Sequence, residues 1–130
     1  MTETAQTSRK AGKSRAGLTI DRVFTTAGVH PFDEVTWERR DIVQTNWKTG
    51  ENVFEQRGVE FPDFWSMNAS TIVTTKYFRG ALDTSARENS LKQLITRVVR
   101  AYRTAGMMHG YFATEEDAER FEHELIWMLL

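Results

Sequence analysis

The sequence has no cysteine, little proline and no long hydrophobic run, and each of these absences excludes a class of protein. Without cysteine, the 130-residue chain holds no disulfide framework, zinc-thiolate site, iron–sulfur cluster, thiol nucleophile or thiyl radical. With 2 prolines and 8 glycines, it is not collagen-like. It offers neither the run of about 18 apolar residues of a membrane-spanning helix nor the run of about 7–15 that a secretory signal needs. We therefore expect a cytoplasmic protein with no membrane association.

Neither sign of charge dominates, since Lys and Arg number 17 and Asp and Glu number 18. The basic residues are nevertheless concentrated near the start: residues 1–20 hold almost nothing apolar and only Glu3 opposes Arg9, Lys10, Lys13 and Arg15. This composition predicts a disordered basic tail over residues 1–20. Residues 21–130 are left with a net negative charge, which disfavours a globally basic nucleic-acid-binding domain. We expect these residues to form one domain that makes no direct contact with nucleic acid.

The first half of this domain has the pattern of a β-hairpin. Apolar side chains alternate in two groups, Val35 with Trp37 and then Val53 with Val59 and Phe61. Residues 46–50 supply loop-forming side chains, so the pattern predicts strands over 35–45 and 52–61. Ile42 falls off the alternation, which leaves the register open. Pro62 ends the second strand because it has no N–H to donate.

The second half has the pattern of helices. Over 66–79 the helical spacing favours a helix that begins at Ser66 and stops before Gly80, although the β-branched run 71–75 also suits an extended chain. The predicted buried side of this helix is formed by Trp65, Ala69, Ile72, Val73 and Tyr77. A clearer helix over 90–105 begins at Asn89 or Ser90, ends at Gly106 or Gly110, and has an apolar stripe of Leu91, Ile95, Val98, Val99 and Tyr102.

The last predicted helix spans 114–130, with Thr114 as its N-cap and Asp117 completing a capping box. Its apolar stripe consists of Ala118, Phe121, Leu125, Met128 and Leu129. This helix is acidic and the preceding one basic, so we expect the two to pack as an antiparallel hairpin. The predicted fold class is α+β, mainly α. The final residues 125–130 are all apolar, and we expect them to be covered by a continuation of the chain or by an obligate partner.

Short catalytic and metal-binding motifs are incomplete in this chain. Residues 12–14 resemble the end of a phosphate-binding loop but lack its first glycine, and the start of a zinc-protease motif at His123 lacks its second histidine. The three histidines are scattered singly, so we predict no metal site. No Gly-x-Ser-x-Gly elbow is present either. The sequence therefore predicts no catalytic, cofactor-binding or metal-binding residue.

Longer blocks of sequence resemble a known family. In order along the chain, these blocks are GVHPFDEVTWERRD (28–41), FEQRGVEFPDFWS (54–66), KYFRG (76–80), SLKQLI (90–95), GYF (110–112) and FEHEL (121–125). Together they resemble the N-terminal region of class II ribonucleotide reductases, which depend on adenosylcobalamin. The resemblance covers residues 18–130, and several blocks in the same order are more specific than one short motif.

The resemblance implies a function for a larger protein. In this family, cobalamin homolysis generates a thiyl radical on a cysteine of an α/β barrel, the radical abstracts the ribose 3′ hydrogen, and two cysteines reduce the 2′ carbon. This chain has none of those cysteines, so we expect it to be inactive alone. The expected partners are the remainder of the reductase polypeptide and, through it, a ribonucleoside di- or triphosphate. The resemblance thus makes residues 21–130 the N-terminal domain of a reductase, truncated at its C-terminal end.

Two basic residues are candidates for contact with a nucleotide phosphate. Lys76 and Arg79 lie beside aromatic residues at the end of a predicted helix. The alternative is that both are surface charges of a structural segment. A different function also remains open, in which the chain is a small non-catalytic interaction module that docks on another protein through its apolar C-terminal helix.

Overall fold

The computed structural model describes residues 17–130, in which an antiparallel hairpin packs against three helices. The elements are a 3-10 turn at Pro31–Glu34, β1 at Trp37–Thr45, β2 at Asn52–Pro62, α1 at Met67–Lys76, α2 at Leu91–Met108 and α3 at Glu115–Leu129. The predicted α+β class, dominated by helix, is confirmed. The prediction of a disordered tail falls on residues 1–16, which lie outside the described part of the chain, and on residues 17–20, whose contacts with α3 are given below.

The hairpin contains a bulge that the alternation of apolar residues does not reveal. Arg40 lies opposite Val59, whereas Ile42 lies opposite Gln56, so β2 has one extra residue between these pairs. Gly58 lies in this bulge with a φ of +69°, a conformation that glycine adopts at no steric cost.

The bulge reverses which side chains of β2 face the core. Val59 and Phe61, beyond the bulge, are buried, as is Ile42 on the other strand. Val53 lies before the bulge and is exposed. The prediction that Val53 shares a face with Val59 and Phe61 is therefore wrong, and Ile42 falls off the simple alternation because the register shifts beside it.

The core lies between the base of the hairpin and the helices. Its buried hydrophobic residues are Ile42, Val59, Phe61, Phe78, Leu91, Ile95, Val99 and Ile126. Burial of side chains of this size contributes about 1.5–3 kcal/mol each by transfer free energy. The core is thus assembled from both strands, α2, α3 and the segment that follows α1.

The N-caps form where the sequence predicts them. The Ser66 side chain accepts from the Ala69 amide, and the Thr114 side chain accepts from the Asp117 amide. At the start of α2, Ser90 and Gln93 form a complete capping box. These side chains satisfy backbone donors that have no partner inside the helix.

The buried face of α1 differs from the predicted one. Ser70 and Thr74 are fully buried, whereas Ile72 and Tyr77 are exposed. The helix turns its small polar side toward the hairpin because the Arg40 guanidinium there donates to the Ser70 hydroxyl at 2.7 Å. The predicted apolar face is therefore wrong at Ile72 and Tyr77, although the helix itself is confirmed and ends at Lys76.

Helix α2 runs through Gly106 and ends before Gly110. A Cβ on Gly106 would overlap the Phe112 ring, so this glycine allows a close approach between α2 and the segment after it. Gly110 has a φ of +65° just beyond the helix end, as a C-terminal glycine requires. Of the two predicted stops, Gly110 is the one that ends the helix.

Candidate docking surface

The C-terminal half of α3 presents an apolar surface that the described chain covers only in part. Ile126 is buried, but Met128 is 58% exposed and Leu129 is 39% exposed. Leu125 and Phe121 are half-buried. The predicted stripe of α3 is thus confirmed at Ala118, which is buried, while its C-terminal members remain open to solvent.

Two hollows of about 430 Å³ lie along this half of α3. The first is lined by Val98, Tyr102, Phe121, Leu125 and Leu129. The second is lined by Glu34, Val35, Phe64, Trp127, Met128 and Leu130. Both are lined mainly by large apolar side chains, which on the surface of a protein mark a site of interaction.

Contacts with other segments hold the end of α3 in place. The Trp127 ring stacks on the Phe24 ring, with 4.3 Å between centroids and an interplanar angle of 6°. The Trp65 indole N–H donates to the Leu130 carbonyl oxygen at 2.9 Å. The apolar surface is therefore part of a fixed structure.

The segment 17–30 crosses α3 and is attached to it through two carboxylates. Asp117 accepts from the Ile20 amide at 2.9 Å. Glu124 accepts from the amides of Phe24 at 2.9 Å and Thr25 at 3.0 Å, and also from the Thr25 hydroxyl. We call this segment the N-terminal strap.

The strap reaches into the range that the sequence predicts as a disordered tail. The Leu18 amide donates to the Tyr111 carbonyl at 2.7 Å, and the Ala113 amide donates to the Leu18 carbonyl at 3.0 Å. Sequence reasoning did not find the strap. One signal for it was present in the sequence: Asp117 and Glu124 are seven residues apart, which places both acids on the same face of α3.

Two histidines meet where the strap crosses α3, without forming a metal site. The His30 and His123 rings are 5.1 Å apart, and His123 Nδ1 lies 3.3 Å from an Arg22 guanidinium nitrogen. Burial lowers the pKa of His123, and the neighbouring His30 and Arg22 lower it further. Within residues 17–130, no group of three or more His, Cys, Asp or Glu is arranged to hold a metal ion.

Replacing Glu124 with glutamine is expected to loosen the strap. Burial opposes ionisation of this carboxyl, but hydrogen bonds from Thr25 and Phe24 outweigh it and hold the pKa of Glu124 below its usual 4.5. Glutamine keeps the shape but loses hydrogen bonds to a charged acceptor, so the free energy of unfolding at pH 7 should fall by about 1.5–3 kcal/mol. Denaturant unfolding measures this loss.

The difference in stability between the wild type and Glu124→Gln is expected to depend on pH. A lowered folded-state pKa stabilises the protein above the unfolded-state pKa, and this stabilisation is lost as pH falls through the folded-state value. The gap between the wild type and Glu124→Gln should therefore narrow as the pH drops below about 4.5. Glu119→Gln is the control, since that side chain is 54% exposed on the same helix. Equal losses from both variants at pH 7 would contradict the role of Glu124.

The two predicted phosphate-contacting residues lie at the end of α1. Lys76 is the last residue of the helix and Arg79 follows in the connection to α2, and both side chains are exposed. Glu88 folds this connection back, because its carboxylate accepts from the Arg79 amide at 2.8 Å and its own amide donates to the Arg79 carbonyl at 2.8 Å. Burial opposes ionisation of Glu88, but hydrogen bonds from Arg97 and Arg79 outweigh it and lower its pKa.

Arg87 fixes the same connection from inside. Its guanidinium donates to the carbonyl oxygens of Thr74 at 2.6 Å, Phe78 at 2.8 Å and Gly80 at 3.2 Å. It also donates to the Gln56 side chain at 2.9 Å. The backbone that carries Arg79 is therefore held to α1 and β2, and this ordering was not visible in the sequence.

None of the helices in residues 17–130 is both long and apolar enough to cross a membrane.

Comparison with known proteins identifies the family. The family model of class II vitamin B12-dependent ribonucleotide reductase matches residues 39–130. Vitamin B12-dependent ribonucleotide reductases of Streptomyces clavuligerus and Streptomyces coelicolor are each 62% identical over 135 residues, which cover 100% of this chain and 14% of the relative. A reductase of the same name from Rhodopirellula baltica is 40% identical over 118 residues, covering 89% of this chain and 11% of the relative. The chain thus spans only 11–14% of the length of these relatives, and it belongs to the family of class II vitamin B12-dependent ribonucleotide reductases.

Proposed function

We propose that this chain is the N-terminal, non-catalytic portion of an adenosylcobalamin-dependent ribonucleotide reductase, which makes deoxyribonucleotides for DNA synthesis in the cytoplasm. The family match over residues 39–130 is the observation that carries the proposal. The chain spans only 14% of the length of the Streptomyces clavuligerus relative, which agrees with a portion of a larger enzyme. The lack of cysteine agrees with a non-catalytic role, since the thiyl-radical chemistry of the family needs cysteines elsewhere in the polypeptide. In this proposal residues 21–130 form the N-terminal domain.

The physical role of the domain is to pack against the rest of the enzyme. The apolar surface of α3 and its two hollows supply the contact area, and aromatic residues such as Tyr102 and Trp127 are typical anchors of interfaces. Packed in this way, the helical pair helps to shape one wall of the nucleotide cleft.

Within residues 17–130, neither the two hollows beside α3 nor the His30–His123 pair fits the cobalamin cofactor. The hollows along α3 have volumes of about 430 Å³, which suits small ligands rather than a corrin. His123 is 9% exposed and its Nδ1 faces Arg22, while His30 Nδ1 accepts from the Phe32 amide, so neither presents this nitrogen to a metal. We therefore place adenosylcobalamin, which supplies radical initiation, on the part of the enzyme outside this chain.

A chimaera tests the proposed function. In it, this chain replaces the matching 135 residues of the Streptomyces clavuligerus reductase. We expect adenosylcobalamin-dependent reduction of ribonucleotides by the chimaera, and none by the same relative with that segment deleted. Adding the separate chain to the deleted relative should restore part of the turnover. A folded chimaera that turns over no ribonucleotide, beside an active unmodified relative, would contradict the proposal.

The proposal extends to Lys76 and Arg79 as contacts for a phosphate of the substrate or of an effector. In the chimaera, the double variant Lys76→Ala/Arg79→Ala should raise the KM for the ribonucleotide or the half-maximal effector concentration about tenfold, as expected for a loss of about 1.4 kcal/mol of binding free energy. The kcat at saturation should change little. Lys48→Ala, at the exposed hairpin tip, is the matched control. An unchanged KM and an unchanged effector response would contradict the phosphate contact and show that both residues are surface charges.

A further inference from the structure

One of the two hollows beside α3 combines apolar walls with a single acid. Three separate parts of the chain form it: the end of the 3-10 turn with the residue after it, the connection from β2 to α1, and the end of α3. Its charged member is Glu34, the last residue of the 3-10 turn. We call it the Glu34 hollow.

The walls of the Glu34 hollow are fixed while its rim is open. Trp127 is stacked on Phe24, and the Leu130 carbonyl is held by the Trp65 indole, as described above. Phe64 is 64% exposed and Met128 is 58% exposed. Apolar side chains are therefore presented to solvent around a preformed depression, and a side chain that fills it meets little ordering cost on this side of the interface.

The charge of Glu34 has no partner within residues 17–130, where its carboxylate makes neither a hydrogen bond nor an ion pair of 4.0 Å or less. A carboxylate at the edge of an apolar depression favours a cation that arrives beside an apolar side chain. It disfavours an acidic partner through like-charge repulsion. The hollow therefore favours an occupant that combines an apolar side chain with a nearby positive charge.

We propose that the Glu34 hollow receives a large apolar side chain, with a neighbouring Lys or Arg that pairs with Glu34, from the reductase polypeptide outside these 130 residues. This inference rests on the proposed function, because the occupant belongs to the rest of the reductase. In the Streptomyces clavuligerus relative, the matching segment is 14% of the whole length.

Two other occupants fit the hollow less well. Residues 1–16 carry basic side chains, but Met1 is their only large apolar residue. A second copy of the chain in a two-fold contact brings two symmetry-related Glu34 carboxylates into the same interface. Neither occupant combines an apolar anchor with a cation as well as a segment of the larger enzyme does.

Photocrosslinking in the full-length chimaera identifies the occupant. The photoreactive residue p-benzoylphenylalanine replaces Phe64 at the rim of the hollow, and mass spectrometry locates the crosslinked peptide. We expect one main peptide, outside residues 1–130, that holds a large apolar residue beside Lys or Arg. The same probe at Trp47, which is 86% exposed on the hairpin loop, should not capture that peptide.

A charge reversal tests the role of Glu34. Glu34→Lys should lower the yield of the Phe64 crosslink roughly fivefold through like-charge repulsion. Asp33→Lys is the matched control, because Asp33 is the exposed neighbour in the same turn and does not line the hollow. Reversing the captured Lys or Arg to Glu should restore the crosslink of the Glu34→Lys variant.

The outcomes separate this inference from the proposed function. A crosslink to residues 1–16, a crosslink between two copies, no crosslink, or equal losses from Glu34→Lys and Asp33→Lys would overturn the docking inference even if the chimaera is active. Absence of turnover contradicts the proposed function, whereas a captured peptide of the stated composition supports the docking inference by itself.

Discussion

The variant Arg40→Ala is expected to lower the free energy of unfolding by about 3 kcal/mol, because it removes a buried charged donor that makes several hydrogen bonds. Arg40 is only 8% exposed. Its guanidinium donates to the Ser70 hydroxyl at 2.7 Å and to the carbonyl oxygens of Pro62 at 3.3 Å and Asp63 at 3.1 Å. It also pairs with Glu38 at 2.6 Å. Alanine removes all of these donors at once, and with them the link between β1, the end of β2 and the start of α1.

The neighbouring Arg39 provides the control for Arg40. Its side chain is 64% exposed, and it makes an exposed hydrogen bond to the Gly58 carbonyl and a long ion pair with Glu60. Arg39→Ala should cost no more than about 1 kcal/mol. Denaturant unfolding of the 130-residue chain compares the two variants, and Arg40→Lys should fall between wild type and Arg40→Ala because an ammonium cannot reproduce the planar fork of donors. Equal losses from Arg39→Ala and Arg40→Ala would contradict the network.

Local chemistry explains why the sequence predicted the helix starts. The hydroxyls of Ser66, Ser90 and Thr114 each accept from an amide within three residues, so the information needed lies inside a short window. The ends were predicted less well. Gly106 does not end α2. It is needed for packing, because a Cβ there would overlap the ring of Phe112, which lies beyond the helix.

Contacts between distant residues explain what the sequence did not show. The strap depends on pairs such as Ile20 with Asp117 and Thr25 with Glu124, which are about 100 residues apart. The polar buried face of α1 depends on Arg40, which lies 30 residues before Ser70. Periodicity within one element carries no trace of such partners, because it records only that a face is apolar and not what lies opposite.

The sequence predicted where the apolar surface lies but not which residues line it. The apolar run 125–130 marked the end of α3 as a surface that needs a cover. Only the structure shows that Ile126 and Trp127 are already engaged by the chain itself, and that Glu34 joins the second hollow from a turn near the other end of the sequence. Lys76 and Arg79 stay a prediction that rests on the chimaera experiment.

Gly80→Ala is the other substitution with a large expected effect, because this glycine combines an unusual backbone angle with a close backbone neighbour. Its φ is +91°, and a Cβ there would overlap the Ala86 carbonyl and lie 2.6 Å from the Arg87 Cα. The left-handed conformation costs a non-glycine residue roughly 1–2 kcal/mol, and overpacking adds about 1–3 kcal/mol when the obstacle cannot rotate away. We expect the free energy of unfolding to fall by about 3 kcal/mol.

Gly28→Ala separates the two causes within Gly80→Ala. Gly28 has a similar φ of +79°, but nothing lies within 4 Å of the position its Cβ would take. It should therefore cost only the roughly 1–2 kcal/mol of the backbone angle. Because the Glu88 amide donates to the Arg79 carbonyl, amide hydrogen exchange at Glu88 should quicken in Gly80→Ala and stay unchanged in Gly28→Ala. Equal losses of stability from both variants would show that the connection carrying Arg79 can move aside, and that its close packing does not hold Arg79 in place.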